Sequence, residues 1–392
     1  MKIARIVVDR LELPLDPPFA ASWDPMPRGR LPATVVHIET DDGHVGVGGG
    51  DALHGVEPYL ELLIGTDPLR IEQQVRRLET IDLHAGRPWP IELALWDLIG
   101  VVHRQPVWRL FGGVGDRVDA YASLGARRDA DDLAAAARDL RDRGFRACKV
   151  RVDAHRPHVA IPAVQAVRTA VGPAMALMVD LNQAWRMAGD TTPAIDLAIA
   201  RRFADAFAEL DVTWMEEPLP AADHTGLAAL RATARVRIAG GELTRTFDQA
   251  LADVLADRYD VHQPDVALSG MWRGRTIADV ALHRGRWYTP HTWTDGIGLL
   301  ANLHVCAGVG GGPYLEFPYD PAGWTTARRD FMLAAPIEVD DGVLVAPDTP
   351  GLGVALDDGA VSRTRVTRIA VTARGVEHTS RGARSEGDGH TS

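Results

Sequence analysis

The stretch MALMVDLN, residues 175–182, is a short apolar run that closes on two polar side chains, Asp180 and Asn182. The same pattern occurs in VTWMEE, residues 212–217, and at four later points. Counted from Asp180, successive acid or base positions lie 23 to 36 residues apart, about the length of one strand, one helix and two loops in a barrel of alternating strands and helices. Because parallel strands end at one face of such a barrel, these side chains are expected to converge on a metal-assisted active site. They are Asp180, Asn182, Glu216, Glu242, Asp265, His291 and Glu316.

Eight such runs occur along the chain, and Ala-, Leu- and Arg-rich helical stretches such as DADDLAAAARDLRDRG lie between them. This alternation is typical of a closed parallel sheet, so residues 118–335 are predicted to form a (β/α)₈-type TIM barrel of the α/β class. The strand candidates are VDAYAS (118–123), RACKVRV (146–152), MALMVDLN (175–182), VTWMEE (212–217), RVRIAGGE (235–242), DVHQPD (260–265), RWYTPH (286–291) and YLEF (314–317).

The segments on either side of the barrel have other patterns. Residues 1–117 contain two alternating stretches, the second of which includes a DDG turn, then an amphipathic helix and a buried helix, and are predicted to form an α+β capping domain. Residues 336–372 contain a second DDG turn and are expected to return to the cap. Residues 373–392 lack apolar periodicity and are expected to form a disordered tail.

Charge and hydropathy restrict the partners. The 392-residue chain has a net charge of −11, which argues against nucleic-acid binding because that function needs clustered Lys and Arg. No stretch approaches the ~18 uncharged residues of a membrane span, and charges interrupt the region where a signal peptide would be apolar. We expect a cytoplasmic protein that acts on a small molecule.

Three acids at neighbouring strand ends form the predicted metal site. Asp180, Glu216 and Glu242 offer hard oxygen ligands suited to one Mg²⁺ per subunit, and a carboxylate substrate would complete the coordination shell. Glu217 follows Glu216 directly and points to the opposite face of the strand, so it is expected to support the site or form an ion pair rather than to bind the metal.

Two cations share one face of the second strand. Lys149 and Arg151 are two residues apart, which directs both toward the barrel lumen. The chain contains only two lysines, so retention of Lys149 indicates a chemical role that Arg does not fill. Repulsion from Arg151 is expected to lower the pKa of Lys149 and give access to its neutral, basic form.

A carboxylate and an imidazole occupy the next two strand ends. Asp265 is expected to hold one nitrogen of His291 and direct the other toward the substrate, which makes His291 the candidate base. Glu316, one strand further, is expected to hydrogen-bond an activated substrate carboxylate if its neighbours keep it protonated.

With these residues the chain resembles the enolase superfamily, in particular its mandelate racemase-like (mandelate racemase/muconate lactonizing enzyme) branch, from the N-terminus to about residue 370. The resemblance lies in ALWDLIG with QPVWRLFGG, GFRACKVRV, VDLNQAW, WMEEPLP, GGELT, QPDVAL, PHTWTDGIGLLANLHV and YLEF. It implies a modified enolase-type barrel with a cap, a homo-oligomer, and removal of the proton α to a carboxylate to give an enediolate stabilised by Mg²⁺.

By the same resemblance the predicted residues acquire roles. Asp180, Glu216 and Glu242 would bind the metal, Asn182 would contact substrate, and Asp265, His291 and Glu316 would be the orienting acid, the base and the group that supports the enediolate. In the cap, Arg28 and Arg30 and the segment from Asp51 to His54 are candidates for contact with the distal end of the substrate, Arg28 and His54 above all.

The second strand departs from the family pattern. Relatives commonly carry Lys-x-Lys with the second lysine as a base, whereas this chain has Arg151 there, and Arg is a poor proton acceptor. Racemisation needs a base on each face of the α-carbon, so the substitution favours loss of a β-hydroxyl, the dehydration of a sugar acid to a 2-keto-3-deoxy acid. Two alternatives stay open: a racemase, epimerase or cycloisomerase with Lys149 as the second base, and a non-catalytic ligand-binding or regulatory barrel.

Overall fold

The computed structural model describes residues 1–380, which fold as an antiparallel cap sheet and a parallel barrel. Three antiparallel strands open the cap, β1 (Ile3–Phe19), β2 (Arg28–Thr40) and β3 (Val45–Gly50). The DDG turn predicted within the second alternating stretch joins β2 to β3, with Gly43 at φ +89°. Two C-terminal strands, Arg365–Thr372 and Gly375–Ser380, complete this sheet on the outer side of β1.

The cap helices cover one face of the sheet. A 3₁₀ helix, Glu57–Leu62, precedes α1 (Ile71–Ala85), α2 (Trp89–His103) and α3 (Val107–Leu110). A Cβ at Gly46 or Gly48 of β3 would collide with the backbone of α2, so the glycine-rich strand allows a close approach of this helix. Because α2 packs against the sheet on one side and the barrel on the other, apolar residues surround it almost completely.

Eight parallel strands form the barrel in chain order, and the last of them pairs with the first. A hydrogen bond from Gly312 N–H to Tyr288 O bridges the seventh and eighth strands. The strands are β4 (Arg117–Ser123), β5 (Ala147–Arg151), β6 (Ala176–Asp180), β7 (Val212–Glu216), β8 (Arg237–Gly240), β9 (Val261–His262), β10 (Trp287–Tyr288) and β11 (Leu315–Pro318).

Helices return the chain from each strand to the next, as the α/β prediction requires, although β11 is followed only by the short α12 (Thr326–Arg329). The predicted sixth and seventh strands are shorter than expected because the chain leaves the sheet before it reaches Asp265 and His291. The connecting helices are α4 (Ala130–Asp142), α5 (Pro157–Val171), α6 (Leu197–Glu209), α7 (His224–Thr233), α8 (Phe247–Leu255), α9 (Val266–Ser269), α10 (Met271–His283) and α11 (Gly296–Val309).

The register of the strands determines which side chains reach the mouth of the barrel. A layer of buried side chains, which includes Ala147, Met178 and Trp214, fills the lumen. Strand residues two positions apart share a face, so Lys149, Asp180 and Glu216 point into the same lumen one layer nearer the carboxyl end, and Gln263 follows Val261 in the same way. The layer nearer the carboxyl end is therefore polar where the layer below it is apolar. Its members Lys149, Asp180, Glu216 and Gln263 are all buried.

The C-terminal segment contacts both parts of the molecule. β12 (Val343–Val345) pairs antiparallel with β4, and after α13 (Asp358–Thr364) the strand β13 (Arg365–Thr372) pairs with β1. The expectation of a disordered tail from residue 373 is wrong for Gly375–Ser380, which form β14 and pair with β13. This edge strand is largely exposed, so it needs no alternation of apolar residues. Its polar sequence therefore gave no strand pattern to predict from. Residues 381–392, the rest of the predicted tail, lie outside the described residues.

His304 of α11 joins three segments in the core. Its Nδ1 accepts a hydrogen bond from Trp108 N–H at 3.0 Å, and its Nε2 lies 3.1 Å from Leu352 O. A ring that accepts at Nδ1 and donates at Nε2 is neutral. Burial lowers the pKa of His304 to about 4. Within residues 1–380, no helix is both long enough and apolar enough to cross a membrane.

The depressed pKa of His304 predicts a loss of stability in acid. An unfolded histidine takes up a proton near pH 6.5, whereas folded His304 resists protonation down to about pH 4. The unfolded state therefore binds more protons in this window, and the free energy of unfolding falls as the pH drops from 6.5 toward 4, by about 3 kcal/mol in total.

Urea unfolding at pH 7.5, 6.5 and 5.5 measures this effect. We expect His304→Gln to flatten the pH dependence, since Gln retains a donor and an acceptor but does not titrate. The matched control is His283→Gln, because the His283 side chain is 79% exposed. Equal pH dependence in the wild type and His304→Gln would contradict the assignment.

Candidate active site

Three buried carboxylates converge at the carboxyl end of the barrel. Asp180 and Glu216 end β6 and β7 and are paired in register, and Glu242 follows β8 after Gly241. Gly241 has φ +96°, a conformation that favours glycine and turns the chain toward the lumen. One oxygen from each acid lies within 4.8 Å of the other two. The strand spacing thus placed three acids at one point.

The donor set fits Mg²⁺. Carboxylate oxygens are the hard ligands that this ion prefers, and three of them leave the other octahedral positions for water or substrate oxygens. Glu242 Oε2 is buried and has no hydrogen-bond partner among residues 1–380. A cation held by Asp180, Glu216 and Glu242 would satisfy this oxygen and offset the mutual repulsion of the three acids.

Lys149 lies against these acids and is ion-paired with them. Its Nζ contacts Glu216 Oε1 and lies 2.8 Å from Glu316 Oε1 and 3.7 Å from Asp180 Oδ2. Burial lowers the pKa of the ammonium, but the attraction of the three carboxylates outweighs burial and raises it above its usual value. The expected lowering by Arg151 is therefore wrong, because three acids act against one cation.

Arg151 is immobilised beside the same acids. The acids, Asp180 foremost, outweigh the cost of burial and raise the pKa of the guanidinium. Arg151 therefore keeps its proton and has no lone pair with which to accept another. Asn182, predicted to contact substrate, accepts a hydrogen bond from Arg151 Nε. The contacts of the guanidinium are Asp180 Oδ2 (3.1 Å), Asn182 Oδ1 (3.2 Å), Leu124 O (2.6 Å) and the rings of Trp23 and Trp293 (4.3 and 5.3 Å to the centroids).

His291 and Asp265 form a hydrogen-bonded pair. His291 Nδ1 lies 2.9 Å from Asp265 Oδ2, and Nε2 lies 3.9 Å from Glu242 Oε2, so the second nitrogen faces the metal site. The other oxygen of Asp265 accepts hydrogen bonds from Ala267 N–H at the start of α9 and from Asn302 Nδ2 on α11. Two helices therefore fix the carboxylate that orients the imidazole.

The charge on His291 depends on the acids around it. Burial opposes its protonated form, but Glu242 and the hydrogen bond to Asp265 outweigh burial and raise the pKa to about 9. A divalent cation on the triad would cancel the charge of Glu242 and lower the pKa of His291 toward the range of a general base.

Glu316 is ionised, contrary to the expectation of a protonated acid. Burial raises its pKa, but Lys149, His291 and Arg151 outweigh burial and lower it to about 2. The carboxylate accepts hydrogen bonds from Thr292 N–H and Trp293 Nε1–H at 3.0 and 3.1 Å. Glu316 thus balances the lumen cations together with Asp180 and Glu216.

Three donors to the acids escaped the sequence analysis. Trp214 Nε1 and Gln263 Nε2 donate to Glu216 Oε2 at 2.9 and 2.8 Å, and Trp185 Nε1 donates to Glu242 Oε1 at 2.7 Å. The sequence did contain a signal for the first two, because strand residues two positions apart share a face. Trp214 lies two residues before Glu216, and Gln263 lies two residues before Asp265. Trp185 lies in a loop and gave no such signal.

A cavity of about 360 Å³ opens between the barrel mouth and the cap. His291 and Glu242 lie on its barrel side, and Arg28 and Asp51 on its cap side. His54, the other predicted cap contact, is exposed and is not among the lining residues, and Arg30 pairs with Glu12 on the exposed face of the sheet. Of the predicted segment from Asp51 to His54, Asp51 lines the cavity.

Comparison with known families covers nearly the whole fold. The model described as the N-terminal domain of mandelate racemase/muconate lactonizing enzyme matches residues 5–112, and the model described as enolase C-terminal domain-like matches residues 132–360. These ranges coincide with the cap and with the greater part of the barrel.

Individual relatives have several activities. The chain is 30% identical to the D-galactarolactone cycloisomerase of Agrobacterium fabrum, over 93% of this chain and 99% of that protein. It is 31% identical to the arabinonate dehydratase of Saccharolobus solfataricus, over 82% of this chain and 87% of that protein. Among solved structures, the L-talarate dehydratase of Polaromonas sp. JS666, complexed with Mg and L-glucarate, is 27% identical and has a TM-score of 0.81 over 95% of this chain and all (100%) of that one.

The triad predicts a difference between two adjacent glutamates. Glu216→Gln removes an anionic ligand and leaves Lys149 beside a neutral amide, so Mg²⁺ affinity measured by isothermal titration calorimetry should fall at least about tenfold. The control is Glu217→Gln. Glu217 is the next residue along the chain and is also buried, but it is not one of the three acids whose oxygens converge. Equal losses of affinity in the two variants would contradict the assignment.

Proposed function

The chain belongs to the mandelate racemase/muconate lactonizing enzyme family of the enolase superfamily, and from this membership we propose that it is a Mg²⁺-dependent dehydratase of sugar acids. One observation carries the choice of reaction: the pair His291 and Asp265 stands on one side of the cavity, while Arg151 on the second strand is a permanent cation. A site with one base favours elimination over racemisation.

The proton transfer follows from the geometry of the pair. A substrate carboxylate near the triad presents its α-carbon to His291, and Nε2 takes the α-proton while Asp265 holds Nδ1. Mg²⁺, when bound, supplies positive charge that stabilises the enediolate oxygens. Arg151 adds a fixed positive charge beside Asp180.

His291 then serves a second time. The C–O bond at the β-carbon breaks, and the departing hydroxyl takes the proton from Nε2 and leaves as water. The enol that results tautomerises to a 2-keto-3-deoxy acid. Proton and hydroxyl leave from one face in this sequence, so no acid is required on the opposite side. His291 alone can therefore serve as both the base and the acid of this reaction.

The second candidate is a cycloisomerase. The 30% identity to D-galactarolactone cycloisomerase over 93% of the chain favours it, and opening of a lactone through the same enediolate also needs only one base. A racemase has less support, because Arg151 occupies the position of a second base and a guanidinium keeps its proton, while Lys149 is ion-paired with Glu216 and Glu316. A non-catalytic role would give no reason for the orienting pair of Asp265 and Asn302 behind His291.

The proposal predicts keto-acid formation that depends on His291. Incubation with Mg²⁺ and a library of sugar mono- and diacids, followed by a keto-acid assay, should yield at least one product. His291→Asn should lower kcat by at least about 100-fold, because proton transfer is lost, while Mg²⁺ affinity changes little.

Two outcomes would contradict the proposal. Isomerisation of a sugar lactone with no keto acid from any acid would transfer the assignment to the cycloisomerase. Normal turnover in His291→Asn would remove the imidazole from the mechanism. The matched control is His262→Asn, since His262 is buried on the neighbouring strand but does not line the cavity.

A further inference from the structure

Two arginines on the cap side of the cavity have hydrogen-bond donors without partners. The guanidinium of Arg87 lies 3.8 Å from Asp51 Oδ2, beyond hydrogen-bond distance, and within residues 1–380 it donates to no other group. Arg28 uses Nε to reach Asp24 at 2.8 Å, and its two Nη groups find no acceptor in the described part of the chain. Both residues line the cavity, which is the space that a substrate would fill.

The other cationic side chains that line this cavity already have hydrogen-bond or ion-pair partners. Arg151 is bound to Asp180, and Arg186 donates to the backbone oxygens of its own loop, among them Trp185 O at 2.8 Å and Thr192 O at 3.0 Å. Asp51 is the lining acid on the cap side, and half of its side chain is exposed (50%). Arg28 and Arg87 are therefore the cap-side cations that keep unused donors.

The backbone at Arg87 is constrained. Its φ of +45° lies in the left-handed region, which residues other than glycine seldom adopt. A hydrogen bond from Arg87 N–H to Asp82 Oδ1 holds this conformation, and Asp82 is in turn paired with Arg245 Nη2 at 3.2 Å. The backbone of Arg87 is therefore held in one conformation at the cavity wall.

We infer that Arg87 and Arg28 bind a second carboxylate, at the end of the substrate remote from the triad, and that the preferred substrate is a sugar diacid. This inference rests on the proposed function for the position of the first carboxylate. A planar guanidinium matches a carboxylate through two parallel hydrogen bonds, which makes arginine suited to this recognition. A sugar monoacid ends in a neutral hydroxymethyl group and leaves these donors unsatisfied.

The first test compares matched substrates with the wild-type enzyme. Galactarate and galactonate, and glucarate and gluconate, differ within each pair only in the distal group. We expect kcat/KM for the better diacid to exceed that of its monoacid by about 10- to 100-fold, the range of one charge-assisted contact. Equal or higher values for the monoacids in both pairs would overturn the inference.

The second test removes the donors. In Arg87→Gln, kcat/KM for the diacid should fall about tenfold or more, while that for the monoacid changes less than about threefold. Arg28→Gln should act in the same direction. Arg30→Gln is the matched control, because Arg30 lies on the same strand, is 71% exposed and pairs with Glu12 away from the cavity. Equal losses for diacid and monoacid in Arg87→Gln would indicate a structural role and overturn the inference.

Binding to His291→Asn separates this inference from the proposed function. Calorimetry with Mg²⁺ and the four acids measures the distal preference without turnover. Tighter binding of a diacid with no keto acid formed by the wild type would retain the distal site and reject the dehydratase. Keto acid formed without any preference for diacids would retain the dehydratase and reject the distal carboxylate site. Tighter binding of 6-phosphogluconate than of every diacid would assign the arginines to a phosphate and overturn the carboxylate assignment.

Discussion

The burial of Asp180, Glu216 and Glu242 at one point of the barrel lumen is the constraint on which the site depends. Like charges in a buried position repel one another, so the surrounding protein must supply compensation. Lys149 and Arg151 provide fixed positive charge, while Trp185, Trp214 and Gln263 donate hydrogen bonds to the acids. A divalent cation completes this balance.

The same balance governs the neighbouring groups. Glu316 lies beside Lys149 and Arg151 and is ionised for that reason, and His291 is drawn toward its protonated form by Glu242 and Asp265. Neutralisation of the triad by a cation therefore acts on the imidazole as well as on the substrate. Metal binding and base strength are linked through Glu242.

The sequence predicted the positions of the acids better than their charges. A period of two along each strand and a repeat of one strand and one helix are local rules, and they placed Asp180, Glu216 and Asp265 at one end of the barrel. A pKa depends on the sum of charges from several strands, so the expectations for Lys149 and Glu316 failed. The loop around His54 and the edge strand Gly375–Ser380 follow from tertiary contacts that no local pattern encodes.

The central claim is that proton abstraction occurs on one face of the substrate, because His291 has no competent counterpart across the cavity. The most direct measurement is loss of the α-proton in D₂O, followed by NMR, from an acid that the enzyme accepts and from its C2 epimer. The account predicts loss from one epimer only. Loss from both epimers at similar rates would show a second base and contradict the account.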